Sequence, residues 1–110
     1  MPATVLQRIA TTLPGIASWL TAGPMNHDTR LSRAKFRAWH RGTREADYLV
    51  GGFFDRHHQS WSQKELEWFE AMLDEQDVDI LAWALQAQAV PLHYAGSMMR
   101  AMQKLDYVKV

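Results

Sequence analysis

From position 29 onward, apolar residues recur at intervals of three and four, and no useful stretch alternates with a period of two. That spacing gathers side chains on one face of an α-helix and argues against strands. Five helices are expected. The first covers about 29–40, with Asp28 or Thr29 as its cap and Leu31, Ala34, Ala38 and Trp39 inward. The second covers about 43–57 and carries Ala46, Leu49, Val50, Phe53 and Phe54 on one face. "SWSQKELEWFEAML" opens the third, where Ser62 and Glu65 have capping-box spacing ahead of Leu66, Phe69 and Leu73. Trp68 and Met72 lie beside that stripe. In the fourth, "EQDVDILAWALQAQ", Asp77 is the expected cap, with Val78, Leu81 and Leu85 inward. The fifth follows Pro91 and turns Leu92, Ala95, Met98 or Met99, Met102 and Leu105 inward. The tail 106–110 is expected to fray.

Gly42 interrupts the pattern between the first two helices. Gly51 and Gly52 sit inside the second, where each lowers helix propensity by about 1 kcal/mol. Their presence implies that something packs closely against that helix. With no strands, no repeat and no low-complexity segment, the fold class is all-α, a compact five-helix bundle with short connections. The expected organisation is a loosely ordered N-terminal extension over 1–27, a helical domain over 28–105 and a short tail.

Composition narrows the function classes. The chain has 110 residues, 47% apolar and 22% charged, which suits one small domain with one core. Formal net charge is zero, so there is no global attraction to nucleic acid or anionic lipid. There is no cysteine, which excludes disulfides, thiolate chemistry and cysteine–zinc sites. No apolar run is long enough to span a membrane, so membrane insertion is not expected.

The charge is segregated. Residues 29–44 hold Arg30, Arg33, Lys35, Arg37, Arg41 and Arg44 without an acid, and residues 65–79 hold Glu65, Glu67, Glu70, Asp74, Glu75, Asp77 and Asp79 without a base. Two readings stand: solvated helix faces that attract each other, or a basic stretch that docks on a partner. The first 27 residues lack acids and carry one arginine, Arg8. "VLQRIA" and "IASWL" there could form short amphipathic turns. Low acidity with Ser and Thr resembles a transit peptide, while Met25 offers an alternative start.

Catalytic chemistry finds little footing. There is no phosphate-binding glycine loop, dinucleotide fingerprint or nucleophile elbow. His57 and His58, with Asp55 nearby, are metal-ligand types, but adjacent histidines point to different sides of a helix, and no metal site is expected. Tryptophans and methionines at helical spacing read as core. No helix-turn-helix spacing supports a nucleic-acid partner.

Arg41-Gly42-x-x-Glu45 remains. In structural terms, Arg41 ends one helix and Glu45 begins the next, both suiting helix dipoles, and Gly42 is a C-cap with positive φ. In functional terms, Gly42 removes a side chain so that another protein can approach the backbone, with Arg41 and Glu45 at the rim.

The chain resembles the FAD assembly factor SdhE family, bacterial relatives of the mitochondrial succinate dehydrogenase assembly factor. The likeness is carried by "RGTREAD" (Arg41, Gly42, Glu45, Asp47), by Phe53 and Phe54, by Ser62, by the acidic cluster 74–79 and by Trp83, and it covers about 31–102. Ala46 departs from the pattern, standing where the family often has leucine. The resemblance implies a five-helix bundle that is not an enzyme and holds no cofactor stably. It implies a factor that binds the flavoprotein subunit of succinate dehydrogenase, with fumarate reductase as a further client. There it promotes covalent attachment of FAD to a client histidine. The partner-binding residues it implies are Arg41, Gly42 and Glu45, together with Asp47, His40, Arg37 and Thr43. The implied location is cytoplasmic in a bacterium and the mitochondrial matrix in a eukaryote. An antitoxin-like helical binding module is the alternative.

Overall fold

The computed structural model describes residues 26–108, and every described regular element is helical. The expectations for "VLQRIA", "IASWL", the leader and Met25 lie outside the described residues. The chain divides into two units between Arg30 and Leu31. Apart from the first turn of the first helix, everything below belongs to the second unit.

Among the described residues, five α-helices occur in order: α1 His27–Trp39, α2 Arg44–His57, α3 Gln63–Leu73, α4 Asp77–Ala84 and α5 Ser97–Gln103. Single 3₁₀ turns at His58–Ser60 and Leu92–Tyr94 join α2 to α3 and precede α5. The cap of α1 is Asn26, whose Oδ1 accepts the Thr29 N–H at 2.8 Å, rather than Asp28 or Thr29. The capping box of α3 is present. Ser62 Oγ accepts the Glu65 N–H at 3.2 Å, and Glu65 Oε1 accepts the Ser62 N–H at 2.7 Å.

The core gathers Ala34 and Ala38 of α1, the Leu49–Val50–Phe53–Phe54 face of α2, and Phe69, Met72 and Leu73 of α3. Phe53 lies 6.1 Å from Phe69, and Trp61 4.9 Å from Phe69, both within the range of favourable aromatic pairs. Ala46 is fully buried, so the position tolerates no exposed role. The paired glycines of α2 explain themselves. A Cβ on Gly51 would fall inside the Trp39 ring, and one on Gly52 would lie 3.1 Å from the Tyr107 carbonyl oxygen. They allow α1 on one side and the C-terminal segment on the other to approach the α2 backbone. Tyr107 is buried and its hydroxyl donates to the Met102 carbonyl at 2.7 Å, so the segment after α5 is packed rather than frayed as far as the structure describes it.

Two helices differ from expectation. α4 begins at Asp77 with Gln76 as its cap, and it ends early. Gln86 takes a left-handed conformation (φ 61°), its N–H reaching the Trp83 carbonyl at 3.2 Å while the Ala87 N–H reaches Ala82 at 2.7 Å. That is the Schellman closure, which satisfies carbonyls the helix would leave open. The buried side of α4 is Ile80, Trp83 and Ala84, whereas Val78 and Leu85 are 71% and 57% exposed and Leu81 is half-buried. The expected fifth helix breaks at Gly96 (φ 143°, ψ −162°), a conformation open essentially to glycine alone. Leu92 and Ala95 consequently point to solvent, Leu92 at 93% exposure, while Met98 and Met99 are both buried.

Candidate partner-binding site

The link between α1 and α2 is four residues long, and each has a defined task. His40 sits just past the end of α1. Its Nδ1 lies 2.6 Å from the Phe36 carbonyl, and since a carbonyl only accepts, that nitrogen carries the hydrogen and caps the helix. The imidazole also stacks on the Phe36 ring, with centroids 3.9 Å apart. Gly42 has φ 113°, and an added Cβ would meet nothing within 4 Å. Backbone conformation requires glycine here, and space does not. Thr43 caps α2, its hydroxyl accepting the Ala46 N–H at 3.2 Å. Asp47, one turn into α2, reaches back and accepts the Arg41 N–H at 2.6 Å. The loop is therefore closed by its own polar groups.

Arg41 is turned inward, with its side chain only 9% exposed. Nε donates to Asp77 Oδ1 at 2.7 Å, Nη1 to the Leu73 carbonyl at 2.8 Å and Nη2 to the Glu75 carbonyl at 2.9 Å. Leu73 is the last residue of α3, and Asp77 opens α4. The guanidinium thus caps α3, where a cation is favoured, and pairs with the acid at the start of α4. Arg37 does the same on the outer side. Its Nη2 reaches Asp74 Oδ1 at 2.7 Å and the Leu73 carbonyl at 3.2 Å. The α3–α4 junction is fixed a third time by Tyr94, whose hydroxyl donates to Glu75 Oε2 at 2.7 Å. Burial and the Glu75 carboxylate hold that phenol above its ordinary range.

The seven sequence-derived candidates therefore divide. Arg37 and Arg41 grip the α3–α4 junction, and Asp47 is half-buried beneath the loop. His40, Gly42, Thr43 and Glu45 are exposed. Arg41 and Glu45 form no ion pair, because the helix that would set them four apart is interrupted. Glu45 lies in the first turn of α2, where a carboxylate is favoured. An open hollow of about 490 Å³ lies over the loop, lined by Trp39, His40, Gly42, Thr43, Asp47 and Tyr48. Tyr48 and Trp39 were absent from the candidates. Tyr48 follows Glu45 by three positions, a spacing that puts the two on one face of α2. Among the described residues, no group of three His, Asp or Glu side chains is arranged to hold a metal ion, and no helix is long and apolar enough to cross a membrane.

Residues 32–106 match the family described as Sdh5, flavinator of succinate dehydrogenase. The chain belongs to this family. Its members are assembly factors rather than catalytic enzymes. Among similar proteins, the FAD assembly factor SdhE of Acetobacter pasteurianus is 36% identical over 70% of this chain and 71% of its own length. Mitochondrial succinate dehydrogenase assembly factor 2 of Mycosarcoma maydis is 33% identical over 64% of this chain. The assembly factor 2 of Saccharomyces cerevisiae is 33% identical over 72% of it. The chain spans 29% and 51% of those two fungal proteins. No solved structure matches the chain.

Proposed function

We propose that this flavinator-family chain binds the flavoprotein subunit of succinate dehydrogenase through the 40–45 loop and promotes covalent attachment of FAD to it. FAD is the client's cargo, and the histidine that receives it belongs to the client. The observation that carries this reading is the division of labour in Arg41-Gly42-x-x-Glu45. Arg41 is consumed inside the fold, which holds the loop in one shape, while Gly42, Thr43 and Glu45 present bare backbone, a hydroxyl and a carboxylate to solvent. Such a surface is open to contact with another protein. It can hold a client in a productive arrangement, and positioning alone can lower a barrier by several kcal/mol. Arg37 and Asp47 act from beneath as positioning residues, and His40 stands at the edge of the contact surface. Fumarate reductase, whose flavoprotein subunit presents the same task, is a second client, and action in the bacterial cytoplasm or mitochondrial matrix follows from where such clients mature.

The test is in-gel flavin fluorescence of the denatured client subunit, produced with this protein, with Gly42→Arg or with Gly42→Ala. Both variants bear the strain of φ 113°, about 1–3 kcal/mol, yet the Cβ that both add meets nothing within 4 Å. Wild type should brighten the band, Gly42→Arg should abolish the gain, and Gly42→Ala should retain most of it. A band that wild type leaves unchanged would overturn the proposal. Equal loss in both variants would reduce Gly42 to a conformational requirement.

A further inference from the structure

α4 is apolar on both sides. Ile80, Trp83 and Ala84 enter the core, while Val78, Leu81 and Leu85, spaced to share the opposite side, are exposed or half-exposed. Asp77 and Asp79 give α4 a polar first turn, and an apolar helix face is ordinarily covered. The outer face of α4 does not stand alone. Leu81 and Leu85 line a groove of about 340 Å³ together with Leu49, Leu105, Val108 and Glu45. Leu105 enters it from a left-handed backbone conformation, φ 59°, which is costly for a leucine. The strain places another apolar side chain along the same groove.

We infer that this groove receives a short apolar segment of the client flavoprotein, with polar flanks beside Glu45, as the second half of the docking surface that begins at the 40–45 loop. The inference rests on the client-binding reading above. Two observations select the client over a second copy of this chain. A stable protein interface takes about 20–30 residues on each side, and the groove offers far fewer, so it serves as part of a larger contact. The surface that continues it is the hollow over the loop, because Arg44 and Tyr48 line both and Glu45 stands beside them at the start of α2. Glu45 has no ion partner among the described residues, which leaves its carboxylate available to the same ligand. The groove then supplies apolar burial and the loop supplies register.

The experiment is equilibrium binding of the purified flavoprotein subunit to wild type, Leu85→Glu, Glu45→Ala and Leu92→Glu, with thermal melts of each and sedimentation of the factor alone. Leu85 and Leu92 are both exposed, so neither charge should unfold the chain. Leu85→Glu should weaken client binding on the order of tenfold or more, while Leu92→Glu, an equally apolar loss elsewhere, should bind as wild type does. If Glu45→Ala weakens binding and Leu85→Glu does not, the groove inference is overturned and the loop reading survives. If wild type fails to bind the client, both fall together. Self-association that Leu85→Glu abolishes, with client affinity unchanged, would assign the groove to a second copy instead.

Discussion

Arg41 is where one side chain carries the most structure. Its guanidinium reaches three neighbouring places far from it in sequence, the end of α3, the α3–α4 turn and the start of α4, while its own N–H is held by Asp47. Removing it leaves the Glu75 carbonyl and a carboxylate, Asp77, 28% exposed, without this donor, and leaves the Leu73 carbonyl to Arg37 alone. Breaking a well-paired, partly desolvated ion pair from one side costs about 2–4 kcal/mol, weighted below the fully buried case because Asp77 still meets water. Arg41→Ala is therefore expected to lower the urea midpoint substantially and to reduce flavinylation through the disordered loop. Arg41→Lys keeps the charge but lacks the planar fork that spans three acceptors, so it should recover only part of the stability. If Arg41→Ala melts like wild type yet loses client binding, the arginine acts at the surface and not through the fold.

At the scale of elements, close approach to α2 decides the packing. Gly51→Ala gains about 1 kcal/mol of helix propensity. It also drives a methyl group into the Trp39 ring, an overpacking that costs typically 1–3 kcal/mol. The expected net effect is a loss of stability. In a Trp39→Leu background the loss should shrink, and a double-mutant cycle on melting free energies reads that coupling directly. Equal effects in both backgrounds would mean that α1 moves aside freely. The role of these glycines was legible in the sequence, as were the five helices, the capping box at Ser62 and most of the α2 and α3 faces, because long amphipathic helices have a single apolar stripe. α4 was legible only in part for the opposite reason: Leu81 packs against the core as expected, while Val78 and Leu85 face solvent. An eight-residue helix with apolar residues on two sides offers two stripes, Val78–Leu81–Leu85 and Ile80–Trp83–Ala84, and periodicity cannot choose between them. The break at Gly96 was hidden by apolar spacing that continues across it. At the site, the positive φ of Gly42 could be foreseen from its position between helices. The direction of Arg41 could not, since its partners lie 32 to 36 residues away.

Across the whole molecule, the two charged stretches meet: Arg37 with Asp74 and Arg41 with Asp77 join the basic segment to the acidic one. Each of these four charges thereby has a partner of opposite sign. His57 is different. It ends α2 against Phe53 and Tyr107, and its Nε2 is buried without a hydrogen-bond partner. Burial first, and then the neighbouring Arg56 cation with a smaller push from Lys104, holds its pKa below the ordinary value of 6.5, with Asp106 pulling the other way. The unfolded chain thus takes up this proton near pH 6.5 while the folded chain refuses it until lower pH. Between those two points the unfolded state binds more protons, so stability falls as pH falls. Urea midpoints measured at pH 7.5 and 5.5 should show a drop for the wild type that is smaller in His57→Gln. An equal drop in both proteins would place the proton uptake on another group and leave His57 as a packing residue alone.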